Sequence, residues 1–284
     1  MAFLDKLLGR PLASWEGAKE KLGVFTGVPV LGLDALASTG YGPEAALTIL
    51  LPLGVAGLKY FPIIILMVMV NLGTLYLSYR QTIAAYPDGG GAYIVAKDNL
   101  GIHAGLMAGV ALLLDYLLNV AVGIAAGIGA VVSAIPALHP YTLPLCLIVL
   151  STLTILNLRG IRESGLAFVV PVLIFIACIA LVIVIGLIRT WQTNGNPVPA
   201  VPLPQIPQGT AVVSAWLLMG AFANGCTAMT GVEAVSNGVP LFTEPTVPNA
   251  RKTLTAIVVI LGAVFYGLNG RAVRPLWSTA RDPV

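Results

Sequence analysis

Four carboxylates fall within strongly apolar stretches of this chain: Asp34, Glu44, Asp115 and Glu233. No Lys or Arg lies centrally in any of those stretches. Ionisable groups at bilayer depth are costly and mark a functional site by default. With no basic residue to neutralise them, such carboxylates call for a bound cation, a proton or polar backbone. Their neighbours are oxygen donors. Asp34, Ser38 and Tyr41 stand at i, i+4 and i+7, one face of a helix. Tyr116, Asn119 and Gly123 share a face by the same arithmetic, and Thr227, Thr230 and Glu233 advance in steps of three. Hydroxyl and carboxylate oxygens suit hard monovalent cations better than soft metals.

Each residue also has a plainer reading. Tyr116 can serve as an interfacial aromatic. The Ser38 and Thr227 hydroxyls can bond a carbonyl one turn back. Asp115 reads best as a cap at a span edge, and Glu44 can bond the free amides of a new helix start. For Asp34 and Glu233 the plain reading is satisfaction by backbone alone, and a functional role is preferred.

The surrounding elements must be membrane spans. Hydrophobic residues make up 57% of the chain, charged residues 10%, and the mean hydropathy is +0.92. A soluble surface needs far more charge, and several runs approach the roughly 20 apolar residues that cross a bilayer. Seven spans are predicted, at about 25–54, 60–84, 104–133, 141–158, 165–189, 211–240 and 253–269. Before residue 270, ten Lys and Arg fall on the amino-terminal side of the membrane and two, Lys59 and Arg189, on the other. That asymmetry places the amino terminus in the cytoplasm of a multi-pass protein of the cell inner (plasma) membrane.

The chain therefore divides into a cytoplasmic amphipathic segment (1–23), spans one to five (24–190), an external Pro-rich loop (191–210), spans six and seven (211–269), and a tail (270–284). The start lacks the uninterrupted apolar core and cleavage site of a signal peptide. Cys146, Cys178 and Cys226 lie in or beside apolar spans and read as buried thiols. The net charge of +3 is too small and scattered for nucleic acid.

Span one carries TGYGPEA (39–45) and span six carries TGVEA (230–234). Ser38, Thr39, Gly40, Gly42 and Gly231 are the predicted helix-break residues. Each motif sets Thr-Gly before Glu-Ala in a long, Gly-interrupted segment, and five spans separate the two starts. An odd number of spans per repeat inverts the second copy. Interrupted helices at corresponding places in two halves point to an inverted-repeat transporter with its site at the breaks. Unwound backbone there exposes carbonyls and amides, and survives at that depth only by lining a cavity.

GLDALASTGYGPEAAL, YPDGGGAYIVAKDNLG with DYLLNVAV, NLRGIRES and GCTAMTGVEAVSNGVPLF together resemble the amino acid–polyamine–organocation superfamily. Within it these segments are most similar to KUP-like bacterial potassium importers. The resemblance implies an all-α, five-plus-five inverted-repeat (LeuT-like) fold with discontinuous helices one and six, of which this chain holds the first repeat and two helices of the second. It implies proton-coupled uptake of potassium, with Asp34, Tyr41, Tyr116, Thr230 and Glu233 at positions that match the importers' ligands. On span three the importers present hydroxyls where this sequence has Asn119 and Gly123. Asn119 still offers a carbonyl oxygen; Gly123 offers no side-chain ligand. Glu233, or else Asp34, is the proton-coupling candidate. No cofactor is expected beyond bound potassium and the coupling proton. The expected partners are the lipid bilayer and a small cation or amino acid, not nucleic acid, with a homodimer allowed.

The amino acid branch is the alternative, as a proton-coupled amino acid or polyamine permease. It ranks second because Asp34 beside the break opposes a substrate carboxylate. A retinal pigment would need a lysine in span seven, which TLTAIVVILGAVFYGL lacks. An enzyme is not expected: His103 and His139 sit at span edges, with no Cys–His or paired-Asp motif. A channel would conduct without coupling, so a protonophore distinguishes it from a carrier. The tail's composition changes abruptly at Gly270, and Arg271, Arg274 and Arg281 fall on the wrong side, as a frameshift or truncation would leave them. Lacking helices eight onward, the chain is not expected to transport by itself.

Overall fold

The structure is a computed structural model describing residues 21–158, 161–194 and 209–269, with 161–168 and 268–269 described by backbone alone. The expected amphipathic segment up to residue 20, the loop over 195–208 and the tail from 270 lie outside the described residues. The described chain is helical throughout, apart from one parallel bridge between Leu22 and Phe242. Its helices are α1 (Val24–Leu31), α2 (Leu33–Ser38), α3 (Gly42–Leu50), α4 (Val55–Ala85), α5 (Ala92–Leu100), α6 (Ile102–Ala134), α7 (Thr142–Leu158), α8 (Ile161–Gln192), α9 (Ala215–Gly225), α10 (Ala234–Asn237) and α11 (Thr246–Asn269).

Five described helical stretches are long and apolar enough to cross a membrane: Val55–Ala85, Ile102–Ala134, Pro136–Leu158, Val169–Gln192 and Thr246–Gly267. At 1.5 Å per residue, α4 is about 46 Å long, more than the roughly 30 Å of a hydrocarbon core. The two remaining predicted spans are divided into shorter pieces. Over 24–53, Gly32 ends α1, and a tight turn separates α2 from α3: Gly40 N–H reaches Ala37 O at 3.0 Å and Tyr41 N–H reaches Ser38 O at 3.3 Å. Pro43 then opens α3, where a missing N–H costs nothing. Over 215–241, Ser214 caps α9 by accepting from Leu217 N–H at 3.2 Å. The helix tightens into a 3₁₀ turn at Cys226–Met229 and breaks at Thr230, with Gly231 at φ +79°.

The chain forms two compact units. One comprises Asp34–Tyr79, Val172–Val232 and the chain from Leu254. In it α3 packs along α9, and a Cβ on Gly42 would come within 2.4 Å of the Ala228 Cβ, so only glycine permits this approach. Leu36, Leu50, Val68, Leu254, Ile257, Leu261 and Phe265 are buried in this unit. Where lipid tails are as apolar as leucine, close packing of small residues supplies much of the association.

The other unit comprises the chain up to Leu33, Arg80–Pro171 and Glu233–Thr253. There α5 packs on α6 and α6 on α7. Leu22 N–H donates to Leu241 O at 2.7 Å, and Thr243 N–H to Leu22 O at 2.9 Å. The Ser236 hydroxyl, fully buried, donates to Gly90 O at 2.6 Å, while Gly90 N–H returns a bond to Ser236 O at 3.2 Å. This reciprocal pair fastens the glycine turn after α4 to α10. Among the described residues no buried side-chain nitrogen or oxygen lacks a hydrogen-bond partner, as an apolar surround requires.

Candidate functional site

Asp34 lies in the first turn of α2, half-buried, one turn before Ser38. Ser38 closes α2 and is fully buried. Its hydroxyl lies 3.3 Å from Asp34 Oδ1, 2.8 Å from the Tyr41 phenol oxygen and 3.3 Å from Thr230 Oγ1. Tyr41 stands beyond the turn, at the N-cap position of α3, so its phenol reaches Ser38 across the break rather than along one helix. Thr230 is 192 residues from Ser38 in the chain, and its hydroxyl donates to Thr227 O at 2.8 Å. Four oxygen-bearing side chains thus converge in one unit.

Gly231 makes that convergence sterically feasible. Its φ of +79° disfavours any L side chain. A Cβ there would also lie 2.6 Å from both Cβ and Oδ2 of Asp34. The backbone after Thr230 therefore runs directly against the carboxylate. Thr39, the next break residue, is buried and bonds locally, its hydroxyl donating to Leu36 O at 2.6 Å.

A second pair forms in the other unit. Tyr116, within α6, donates its phenol proton to Glu233 Oε1, and Glu233 is buried just before α10. Asn119 is half-buried three residues on from Tyr116, on the same helix face. Tyr116 does not sit at a helix end, as an interfacial aromatic would. Asp115, predicted to cap a span edge, also lies well inside α6 with its side chain exposed, where no free amides need a cap. Glu44 is exposed in the first turn of α3, a favourable place for a carboxylate.

Ser38, read from the sequence both as a member of the Asp34 face and as a break residue, lies within bonding range of the other three oxygen groups. Its i, i+4 relation to Asp34 was the available signal. The bond between Ser236 and Gly90 spans 146 residues and had none.

An all-helical, multi-pass membrane protein with oxygen groups gathered at interrupted helices belongs to the broad class of membrane permeases. The amino acid permease family model matches residues 31–269, and the chain belongs to that family, part of the amino acid–polyamine–organocation superfamily. The potassium transporter KimA of Bacillus subtilis (strain 168) is 42% identical over 264 residues, which is 92% of this chain and 43% of that protein. The chain thus spans less than half the length of this curated relative.

Proposed function

We propose that this chain carries the substrate-binding breaks of a secondary active transporter that takes up potassium, or another small cation, in exchange for work done by a proton gradient. The observation that carries this is the convergence of Asp34, Ser38, Tyr41 and Thr230 at the break beside Gly231. A carboxylate among hydroxyl oxygens replaces the hydration shell of a hard monovalent ion, and its charge offsets that of the ion. The relative's name, a potassium transporter, supports the same substrate. Glu233 and its donor Tyr116, with Asn119 beside them, are the proposed proton-coupling group.

In this reading α1–α3 are span one, α4 and α6–α8 are spans two to five, α9–α10 are span six and α11 is span seven. The first five form one inverted repeat, and the last two open the second. The short helical pieces over 24–53 and 215–241 support discontinuous spans one and six. The Lys and Arg asymmetry supports a cytoplasmic amino terminus.

The family description favours a second reading, amino acid transport. An amino acid could meet Asp34 through its amino group, leaving its carboxylate to backbone amides. Calorimetric titration of the purified chain with potassium chloride, sodium chloride and a mixture of amino acids separates the two. Saturable potassium binding, lost in Asp34→Asn and unaffected by amino acids, is the expected result. Amino acid binding with no response to potassium would sink the cation reading. Uptake by a full-length relative changed to Asn at the position that aligns with Asp34, with and without protonophore, extends the test to transport.

A further inference from the structure

The glycine run 89–91 takes no part in the oxygen cluster, yet α10 grips it closely. Ser236 engages Gly90 twice: its hydroxyl donates to Gly90 O at 2.6 Å, and its carbonyl accepts from Gly90 N–H at 3.2 Å. Two directional bonds between the same two residues fix orientation as well as distance. A Cβ on Gly91 would overlap Asn237 Oδ1, and one on Gly89 would lie 2.9 Å from Asn237 O, so α10 sits against bare backbone. Ser236 and Asn237 are also the residues whose N–H groups close on Glu233 O, at 2.9 and 3.1 Å. The turn that holds Ser236 therefore holds Glu233, one helical turn away.

A second path leads from the same glycines to Tyr116. Gly91 is the N-cap residue of α5, and α5 folds back along α6. A Cβ on Gly105 would lie 2.7 Å from Lys97 Cβ, and one on Gly109 would lie 3.2 Å from Tyr93 Cδ2. Gly105, Gly109 and Tyr116 stand at i, i+4 and i+11, one face of α6. The face that takes α5 thus carries Tyr116, whose phenol donates to Glu233 Oε1. Glu233, α10, the glycine turn, α5, α6 and Tyr116 form a closed ring within one unit.

We propose that the glycine run is a positioning element for the Tyr116–Glu233 pair, with Ser236 as the positioning residue whose paired bonds to Gly90 set where Glu233 stands opposite the phenol. The consequence for transport rests on the reading of that pair as the proton-coupling group. Close packing makes such a ring stiff, and a hydrogen bond weakens steeply once its geometry is lost. Without the Ser236 hydroxyl, the carbonyl of buried Gly90 loses its partner and α10 keeps one bond of the two. With a Cβ at residue 91, the turn pushes α10 away outright. Leu22 still pairs with Leu241 and Thr243 in both cases, which keeps the segment attached.

The test is the infrared C–O band of Tyr116 in the purified chain, with ring-labelled tyrosine and the Tyr116→Phe spectrum subtracted. The wild type is expected to show the band of a phenol donating to a carboxylate, and Glu233→Gln to move it. Ser236→Ala and Ser236→Cys are expected to shift the band away from its wild-type position, and Gly91→Ala to shift it further. Phe242→Leu is the control. It opens space at a fully buried ring of the same unit without touching Gly90, and is expected to lower the unfolding midpoint while the band stays. A band unmoved in Ser236→Ala and in folded Gly91→Ala would overturn the proposal, as would a wild-type band that Glu233→Gln leaves in place. So would the wild-type band in Ser236→Cys, which keeps the volume with a weak donor, or an equal shift in Phe242→Leu, because either would reduce Ser236 to packing. Should Gly91→Ala not fold, the two Ser236 variants decide alone. The coupling reading fails separately. Proton-coupled uptake by a full-length relative, unaffected by Gln at the position that aligns with Glu233, would remove that reading and leave the infrared result standing.

Discussion

The interrupted stretch α2–α3 and the continuous helix α6 are both rich in leucine and alanine, yet they are used in opposite ways. Along α2 and α3, Ala35, Leu36, Ala46 and Leu50 are buried, and so are the polar Ser38 and Thr39. Along α6, Leu106, Leu113, Leu114, Leu117 and Leu118 are exposed, and Gly105 and Ile128 are the buried residues. Such an outward apolar face suits hydrocarbon. In a membrane, apolar character does not mark the inside. Small residues, hydroxyls and backbone breaks do, because buried packing rewards close approach and polar groups need protein partners.

The comparison predicts a hierarchy of effects. The largest belongs to Asp34→Asn. If the proposed cation reading holds, removing a full charge at Asp34 should weaken potassium binding at least about a hundredfold by calorimetry, given several kcal/mol of Coulomb energy at contact in a protein dielectric. A change of threefold or less would remove Asp34 from the site.

Gly231→Ala comes next. The positive φ and the Cβ overlap with Asp34 together should cost about 2 kcal/mol of stability in detergent, with a loss of potassium affinity beside it. Its counterpart is Gly127→Ala on α6, where a Cβ would meet nothing within 4 Å. That change should leave binding intact and raise stability by up to about 1 kcal/mol. Equal responses at the two glycines would dissolve the contrast.

Ser236→Ala sharpens it on a smaller scale. Loss of the buried bond to Gly90 O should lower the unfolding midpoint by the equivalent of about 1 kcal/mol. Smallest is Leu113→Ala on the exposed face of α6, expected to stay within about 0.5 kcal/mol in the same assay. A cost of 2 kcal/mol or more would mean that this face is packed against protein in solution.

Much of this architecture is legible along the chain, because the physics behind it is local. Transfer of apolar residues into hydrocarbon predicts spans from composition, and the five long helices fall where the hydropathy places them. The end of α2 falls at the Thr-Gly step of the predicted break, with a proline at the start of α3, whereas α9 ends at Gly225, before the predicted Thr230–Gly231 break. The candidate site was legible as a set of residues, less so as an arrangement. The i, i+4, i+7 argument treated Asp34, Ser38 and Tyr41 as one helical face, although the same stretch carries the break that separates Tyr41 from α2. The phenol still reaches Ser38, but around a turn whose geometry periodicity does not describe.

By itself, then, the sequence determined a multi-pass helical membrane protein and named the oxygen groups, Asp34, Tyr41 and Thr230 among them, that the structure brings near one another. These follow from each residue's own solvation and backbone preference. Only the tertiary structure decided the partners: Ser38 with Thr230, Tyr116 with Glu233, Ser236 with Gly90, separated by 192, 117 and 146 residues. Such pairs depend on helix rotation and on close approaches like that of Gly231 to Asp34. Those are set by the packing of many side chains at once, which no local pattern encodes.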